Sequence, residues 1–235
     1  MKLNNMELIK SGIDGLDEIL NGGMRKNSSL LISGVPGVGK TIFALQFIYA
    51  GARLGESGLF VSCEEKEDSV YNYAKSISMD FDRYKDKINL LHTPIIGKVM
   101  SFGSIIDVIK QKKIKRVVLD SLTFFSYADL DQVSFRKEVS EFLSVMKANG
   151  VTVMVTSERE IGDIDNVTFK PEDFLFEGLI LLFKIRKGSN FERCVTIQKM
   201  RGQDHMTGIY PFTIGKNGIE IYPKQFPFSL VEKSE

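Results

Sequence analysis

Gly34-Val35-Pro36-Gly37-Val38-Gly39-Lys40-Thr41 satisfies G-x-x-x-x-G-K-[ST] at every constrained position, and that pattern answers a single chemical need. A row of phosphates is held by several backbone N–H groups converging on it, and glycines at 34, 37 and 39 clear side chains from that approach. Lys40 is expected to set its ammonium against the β- and γ-phosphates and Thr41 to offer its hydroxyl to Mg²⁺. The helix that follows points its positive N-terminal end at the same charge. The ligands expected are a nucleoside triphosphate and Mg²⁺.

Such chemistry needs a carboxylate beside the metal, and Asp120, at the carboxyl end of the apolar run Arg116-Val117-Val118-Leu119-Asp120, has that form. Its alternative is a helix cap, since Ser121 follows. Hydrolysis also needs a base to align water. The adjacent Glu64 and Glu65 end the strand after the phosphate-loop helix, beside the expected γ-phosphate, while an exposed acidic helix start over Glu64 to Asp68 is the other reading. A third group lies late in the chain: Lys199 and Arg201 occupy in-phase positions and project to one face, either as phosphate-directed cations or as a solvated basic strand end.

The elements that must position these residues follow from periodicity. A short amphipathic helix is expected near Asp14 to Leu20, then a buried strand Ser29 to Ser33, the phosphate loop, and a helix to Leu54 stopped by Gly55. Further strands are expected at Gly58 to Cys63, Ile88 to His92, Arg116 to Asp120 and Val151 to Thr156, with helices near Lys66 to Ser78, Phe102 to Lys113 and Ser134 to Asn149. That alternation implies an α/β fold with a mostly parallel central sheet flanked by helices. The last third reads differently: runs at Gly178 to Ile185, Glu192 to Met200, Tyr210 to Ile214 and Ile219 to Tyr222, with hairpin turns between them, extend the sheet with C-terminal antiparallel strands.

With 235 residues, 43% of them hydrophobic, one domain spanning 1–235 is expected, with 223–235 as a loose tail. The net charge of +1 removes any global pull toward nucleic acid or membrane. No stretch is apolar enough for a signal or a membrane span, so a cytoplasmic location is expected. Cys63 and Cys194 sit in apolar strand surroundings and are expected to be buried thiols without a chemical role.

Four segments together give the chain a resemblance to the KaiC and RadA branch of RecA-like P-loop ATPases, most closely to single-domain KaiC-like proteins. They are Ser11 to Gly23, the phosphate loop, Phe60 to Glu65, and Lys199-Met200-Arg201-Gly202-Gln203-Asp204-His205. The resemblance implies that Glu64 is the catalytic base of an ATPase, with Glu65 assisting. It further implies a homo-oligomeric, hexameric ring in which Lys199, Arg201 and His205 reach the neighbouring subunit's γ-phosphate, and in which nucleotide state presents a surface to a protein partner. Departures from the pattern bear on this. KaiC carries two copies of the domain, and one is present here. Arg25-Lys26-Asn27 replaces a Pro- and Gly-containing turn, where Asn can supply the left-handed geometry. Asp173-Phe174 stands where the second half of KaiC has its phosphate-accepting Ser-Thr pair, so autokinase activity is not expected.

Two rivals share the nucleotide contacts: a recombinase-type protein binding single-stranded DNA, and a regulatory module that binds ATP without turnover. The DNA-facing loops would be Ser121 to Val133 and Ser157 to Phe174. The second holds six acidic residues (Glu158, Glu160, Asp163, Asp165, Glu172, Asp173) against Arg159 and Lys170, the wrong sign for phosphate. Phe124, Phe125 and Tyr127 in the first could stack bases or form a subunit contact. A basic run, Lys110, Lys112, Lys113, Lys115 and Arg116, reads as a solvated helix C-terminus.

Overall fold

Strands that read as continuous apolar runs are buried on both faces. In the computed structural model, which describes residues 7–93, 102–122, 131–161 and 166–228, they form the centre of a nine-stranded sheet. In chain order the elements are β1 (Leu8–Ile9), α1 (Leu16–Ile19), β2 (Met24–Arg25), β3 (Ser29–Gly34), α2 (Lys40–Arg53), β4 (Ser57–Ser62) and α3 (Glu67–Ser76). Then follow β5 (Ile88–His92), α4 (Phe102–Lys112), β6 (Ile114–Asp120), α5 (Gln132–Ala148), β7 (Thr152–Glu158), β8 (Gly178–Lys187), β9 (Asn190–Met200), β10 (Ile209–Gly215) and β11 (Gly218–Ile221). The sheet order is β11-β10-β9-β8-β3-β7-β6-β4-β5, while β1 and β2 form a separate antiparallel pair.

From β5 to β8 neighbouring strands run parallel, and β9, β10 and β11 add antiparallel. The expected architecture is therefore present, with one refinement. β8 is itself parallel to β3, so the antiparallel extension starts at β9. Alternate strand residues serve opposite cores: Leu30 and Ile32 pack with Phe43, Phe47 and Ile48 of α2, whereas Leu31 packs with the layer that includes Phe142 and Met146 of α5. This two-sided burial is what forces parallel strands to lack a polar face.

Several boundaries moved for local reasons. Asp131 accepts hydrogen bonds from the backbone N–H of Val133 (2.8 Å) and Ser134 (2.9 Å), so α5 begins two residues before the expected Ser134. The first helix shrinks to four residues. Asn27 does take the left-handed conformation, φ 58°. Arg116 corrects the reading of the basic run: it lies in β6, its side chain 1% exposed, with Nε donating to Glu56 Oε2 at 2.6 Å and Nη1 to the carbonyls of Lys10 and Phe47. The strand phase turns this arginine inward under α2, whereas Lys110, Lys112, Lys113 and Lys115 are exposed. Both cysteines are buried thiols, and burial pushes each up to about 12. Among the described residues no helix is long and apolar enough to cross a membrane. Of the expected tail, 223–228 is described, with Pro227 buried and Phe228 N donating to Glu192 Oε1 at 3.4 Å.

Candidate nucleotide site

The carboxyl ends of the parallel strands face one side of the sheet, and in open α/β sheets this is where ligands bind. Here β3 runs into the phosphate loop, and a cavity of about 590 Å³ opens against Lys40, Thr41, Glu64, Asp120, Glu158 and Arg193. No side chain caps α2 and no acid lies in its first turn, so its N-terminus is left to an external anion.

The loop glycines serve different ends. Gly37 has φ 67° and nothing within 4 Å of where a Cβ would stand, which leaves the loop backbone open to the cavity. At Gly34 a Cβ would stand 2.1 Å from the Leu182 carbonyl oxygen of β8. That glycine is demanded by sheet packing, not by the approach to phosphate expected from the motif. Val38 is buried in the core, and Val35 and Pro36 lie on the outer turn.

Lys40 Nζ donates to the carbonyls of Gly34 (3.0 Å) and Val35 (3.1 Å) and lies 4.0 Å from Glu158 Oε1. Burial pulls its pKa down, opposed by the negative charges of Glu158, Asp120 and Glu64. Thr41 Oγ1 donates to Asp120 Oδ2 at 2.8 Å, and Thr156 Oγ1 donates to Asp120 Oδ1. Burial raises the Asp120 carboxyl, and the hydrogen bonds from Thr156 and Thr41 and the nearby Lys40 charge work against that rise. Asp120 therefore faces the loop, and it caps no helix among the described residues.

Glu64 and Glu65 diverge, as adjacent strand-end residues must. Glu64 is exposed at the cavity and accepts from Ser121 Oγ at 3.1 Å. Glu65 takes the Tyr73 hydroxyl at 3.1 Å, which raises the Tyr73 pKa, and its backbone N donates to Ser62 Oγ at 3.0 Å.

Lys199, Arg201 and His205 are not on the cavity wall. The register explains why: Gly34 pairs with Leu182, which pairs with Val195, but Leu30 pairs with Gly178, which pairs with Met200. The end of β9 thus lies four residues down β3 from the loop, about 13 Å away at strand rise. There Lys199 Nζ donates to Asp173 O (2.6 Å) and Arg201 Nη2 to Phe174 O (3.0 Å), so the two cations do share a face. Burial lowers the Lys199 pKa, and the Arg201 charge adds to this. The turn carrying His205 docks on the N-terminal signature: Gln203 Nε2 donates to Leu20 O (2.6 Å) and Gly23 O (2.7 Å), and Asn21 Nδ2 donates to Asp204 Oδ2 at 3.1 Å.

Two charged residues of the cavity wall, Glu158 and Arg193, have no site role in the sequence. In sequence Glu158 reads only as loop charge and Arg193 lies inside a strand run, where the signal is a cation next to β9 residues as buried as Cys194 and Val195. Its Nε is buried without a hydrogen-bond partner among the described residues. The charge that the second loop shows to solvent also differs from its sequence count. Arg159 and Asp173 pair with each other in the interior, which leaves Glu158, Glu160 and Glu172 against Lys170 among the described residues. Asp163, Asp165, Phe124, Phe125, Tyr127 and Asp129 lie outside the described residues.

The family model described as ATPase: KaiC matches residues 9–226. The circadian clock oscillator protein KaiC of Parasynechococcus marenigrum (strain WH8102) is 33% identical over 93% of the chain, and that of Prochlorococcus marinus (strain MIT 9313) 31% identical over 93%. The chain spans about half the length of these curated relatives, 45% and 46% respectively. Among solved structures, a KaiC-like protein from the hyperthermophilic archaeon Pyrococcus horikoshii OT3 superposes with a TM-score of 0.81 at 32% identity, covering 93% of this chain and all of that one.

Proposed function

Because the chain belongs to the KaiC family of ATPases, we propose that it binds Mg-ATP at Gly34 to Thr41 and hydrolyses it slowly within a homo-oligomeric, hexameric ring. Each nucleotide is shared between protomers, and its state controls a surface offered to a protein partner. The observation that carries this reading is the separation of about 13 Å along the sheet between Gly34 and the end of β9. Cations placed there serve a phosphate chain only if it belongs to another molecule of the ring.

In this reading the loop amides and the N-terminus of α2 hold the phosphates, and Lys40 leaves the Gly34 and Val35 carbonyls to meet the β- and γ-oxygens. The Thr41 hydroxyl and the Asp120 carboxylate, held together at the cavity wall, are the hard oxygen donors Mg²⁺ takes alongside phosphates. When bound, the ion neutralises charge on the phosphate oxygens. Glu64, exposed and oriented by Ser121, aligns water and accepts its proton. Glu65, tied to Tyr73, assists by fixing the strand end. Arg193 supplies a cation from the same chain, and Lys199, Arg201 and His205 of the neighbour supply charge in trans. At the position of the second-half acceptor pair of KaiC, Asp173 and Phe174 carry no hydroxyl, so phosphate goes to water.

Light scattering of the purified chain with and without Mg-ATP, coupled to phosphate release, tests this directly. The expected result is assembly on nucleotide addition, with release abolished by Glu64→Gln and strongly reduced by Lys199→Ala with Arg201→Ala. A chain that stays monomeric with saturating Mg-ATP, or releases phosphate equally well without these cations, ends the shared-site reading.

A further inference from the structure

The segment after β7 carries a buried ion pair that the nucleotide chemistry above does not use. Arg159 and Asp173 have side chains 3% and 1% exposed, and Arg159 Nη2 donates to Asp173 Oδ1. A pair this deep gains little net stability, because two charges leave water to form it. Its partners show what else it does. Arg159 N donates to Gly34 O at 3.1 Å, the carbonyl that also accepts Lys40 Nζ at 3.0 Å. Arg159 Nε donates to Ser33 Oγ at 3.1 Å and Nη1 to Thr168 O at 2.6 Å, so the guanidinium spans from the end of β3 to the turn Pro171–Phe174. On that turn the Asp173 carboxylate also accepts Lys170 N at 2.7 Å, while the carbonyls of Asp173 and Phe174 hold Lys199 and Arg201. Lys199 Nζ additionally sits 5.7 Å from the centre of the Phe174 ring.

We infer that Arg159 and Asp173 are positioning residues that tie the phosphate loop of one protomer to the cations it presents to the next. The inference rests on the shared-site reading above. Hydrogen bonds and the covalent chain together link Lys40 through Gly34 O and the Arg159 backbone N–H and guanidinium to Asp173, whose own carbonyl holds Lys199 while that of the adjoining Phe174 holds Arg201. When Lys40 turns to phosphate, Gly34 O keeps the Arg159 backbone N–H on this path, and the guanidinium, held at Ser33 Oγ beside that carbonyl, transmits the change to the turn because its donors are rigidly spaced. Occupancy of one pocket thereby sets how the adjacent pocket's trans cations are held, through discrete contacts and not through distance alone.

Mixed assemblies separate this role from ordinary support of the fold. Wild-type chains are combined either with Glu64→Gln chains or with Glu64→Gln chains that also carry Arg159→Met and Asp173→Leu, an apolar exchange of the kind buried pairs tolerate. Glu64→Gln chains release no phosphate themselves, so the second change is felt only through cations lent to wild-type neighbours. Phosphate release per wild-type chain at saturating ATP is expected to fall about tenfold or more between the two mixtures, with KM unchanged. Equal release in both, with circular dichroism showing a folded variant and light scattering showing co-assembly, overturns the inference. If the apolar exchange does not fold, Asp173→Asn in the same background carries the same expectation and the same refutation. Failure of wild-type chains to assemble with Mg-ATP defeats the shared-site reading first, and is distinguished by appearing before any variant is mixed.

Discussion

Thr41 Oγ1 lies 2.8 Å from Asp120 Oδ2, joining the first turn of α2 to the last residue of β6 across 79 positions of chain. This contact draws the hydroxyl and the carboxylate proposed to hold Mg²⁺ to one wall of one cavity. It also leaves a carboxylate buried, with Thr156 as its other hydrogen-bond partner.

That burial has a stability consequence with a definite sign. Because the Asp120 carboxyl is raised in the folded chain, the native state binds more protons than the unfolded one, and stability is lost as pH rises from the ordinary carboxylate range through the raised value. Asp120→Asn is therefore expected to raise the Tm of the nucleotide-free protein at neutral pH, by about 2–4 °C for each kcal/mol regained. The gain should vanish near pH 3, where the wild-type carboxyl is protonated in both states, and phosphate release should be lost throughout. Thermal melts at several pH values check it, and a lowered Tm at neutral pH contradicts it.

Gly34 and Gly37 should separate packing from binding. Gly34→Ala drives a methyl into the Leu182 carbonyl, and overpacking of this kind costs about 1–3 kcal/mol or more, so the Tm falls even without nucleotide. Gly37→Ala meets no neighbour and loses only about 1–2 kcal/mol to left-handed strain, but it crowds the face offered to phosphate. Fluorescent-nucleotide titration is expected to show the larger loss of affinity at position 37. The reverse ranking would contradict these roles.

Arg193 offers a cleaner change. Its buried Nε has no hydrogen-bond partner among the described residues to lose, so Arg193→Met should leave the Tm within a few degrees of wild type. Affinity for ATP should nevertheless drop about tenfold, the loss of one charge-assisted contact. Unaltered affinity would remove Arg193 from the nucleotide contacts.

Arg116 and Glu56 report on the scaffold alone. Their pair lies beneath α2, away from the cavity wall, and removing one partner of a buried pair costs about 3–5 kcal/mol. Glu56→Gln is milder because Glu56 is partly exposed, and it should lower the Tm while sparing nucleotide affinity at a temperature where the variant is folded.

Single-stranded DNA is not expected to bind tightly. With Arg159 neutralised by Asp173 inside the protein, Lys170 is the basic residue left facing Glu158, Glu160 and Glu172 in the described part of that loop. Filter binding at two salt concentrations should find weak retention at both. Tight capture that collapses with added salt would favour the recombinase-type alternative.

The sequence by itself determined the phosphate loop, the alternation of strands and helices, and the family, because each is written in local spacing: a glycine-rich turn, a period of two or 3.6, a strand ending in Asp120. It also foresaw the left-handed Asn27, since few residue types accept that geometry. Tertiary structure decided which charges face water. Arg116 and Lys115 are neighbours in one basic run, yet strand phase and the packing of α2 bury one and expose the other. Register between β3, β8 and β9 decided that Lys199 and Arg201 stand away from their own phosphate loop, and close packing of β8 against Gly34 decided that glycine's purpose. These are relations between segments far apart in the chain. They arise from burial and hydrogen-bond satisfaction summed over the whole sheet, a balance that no short window of residues contains.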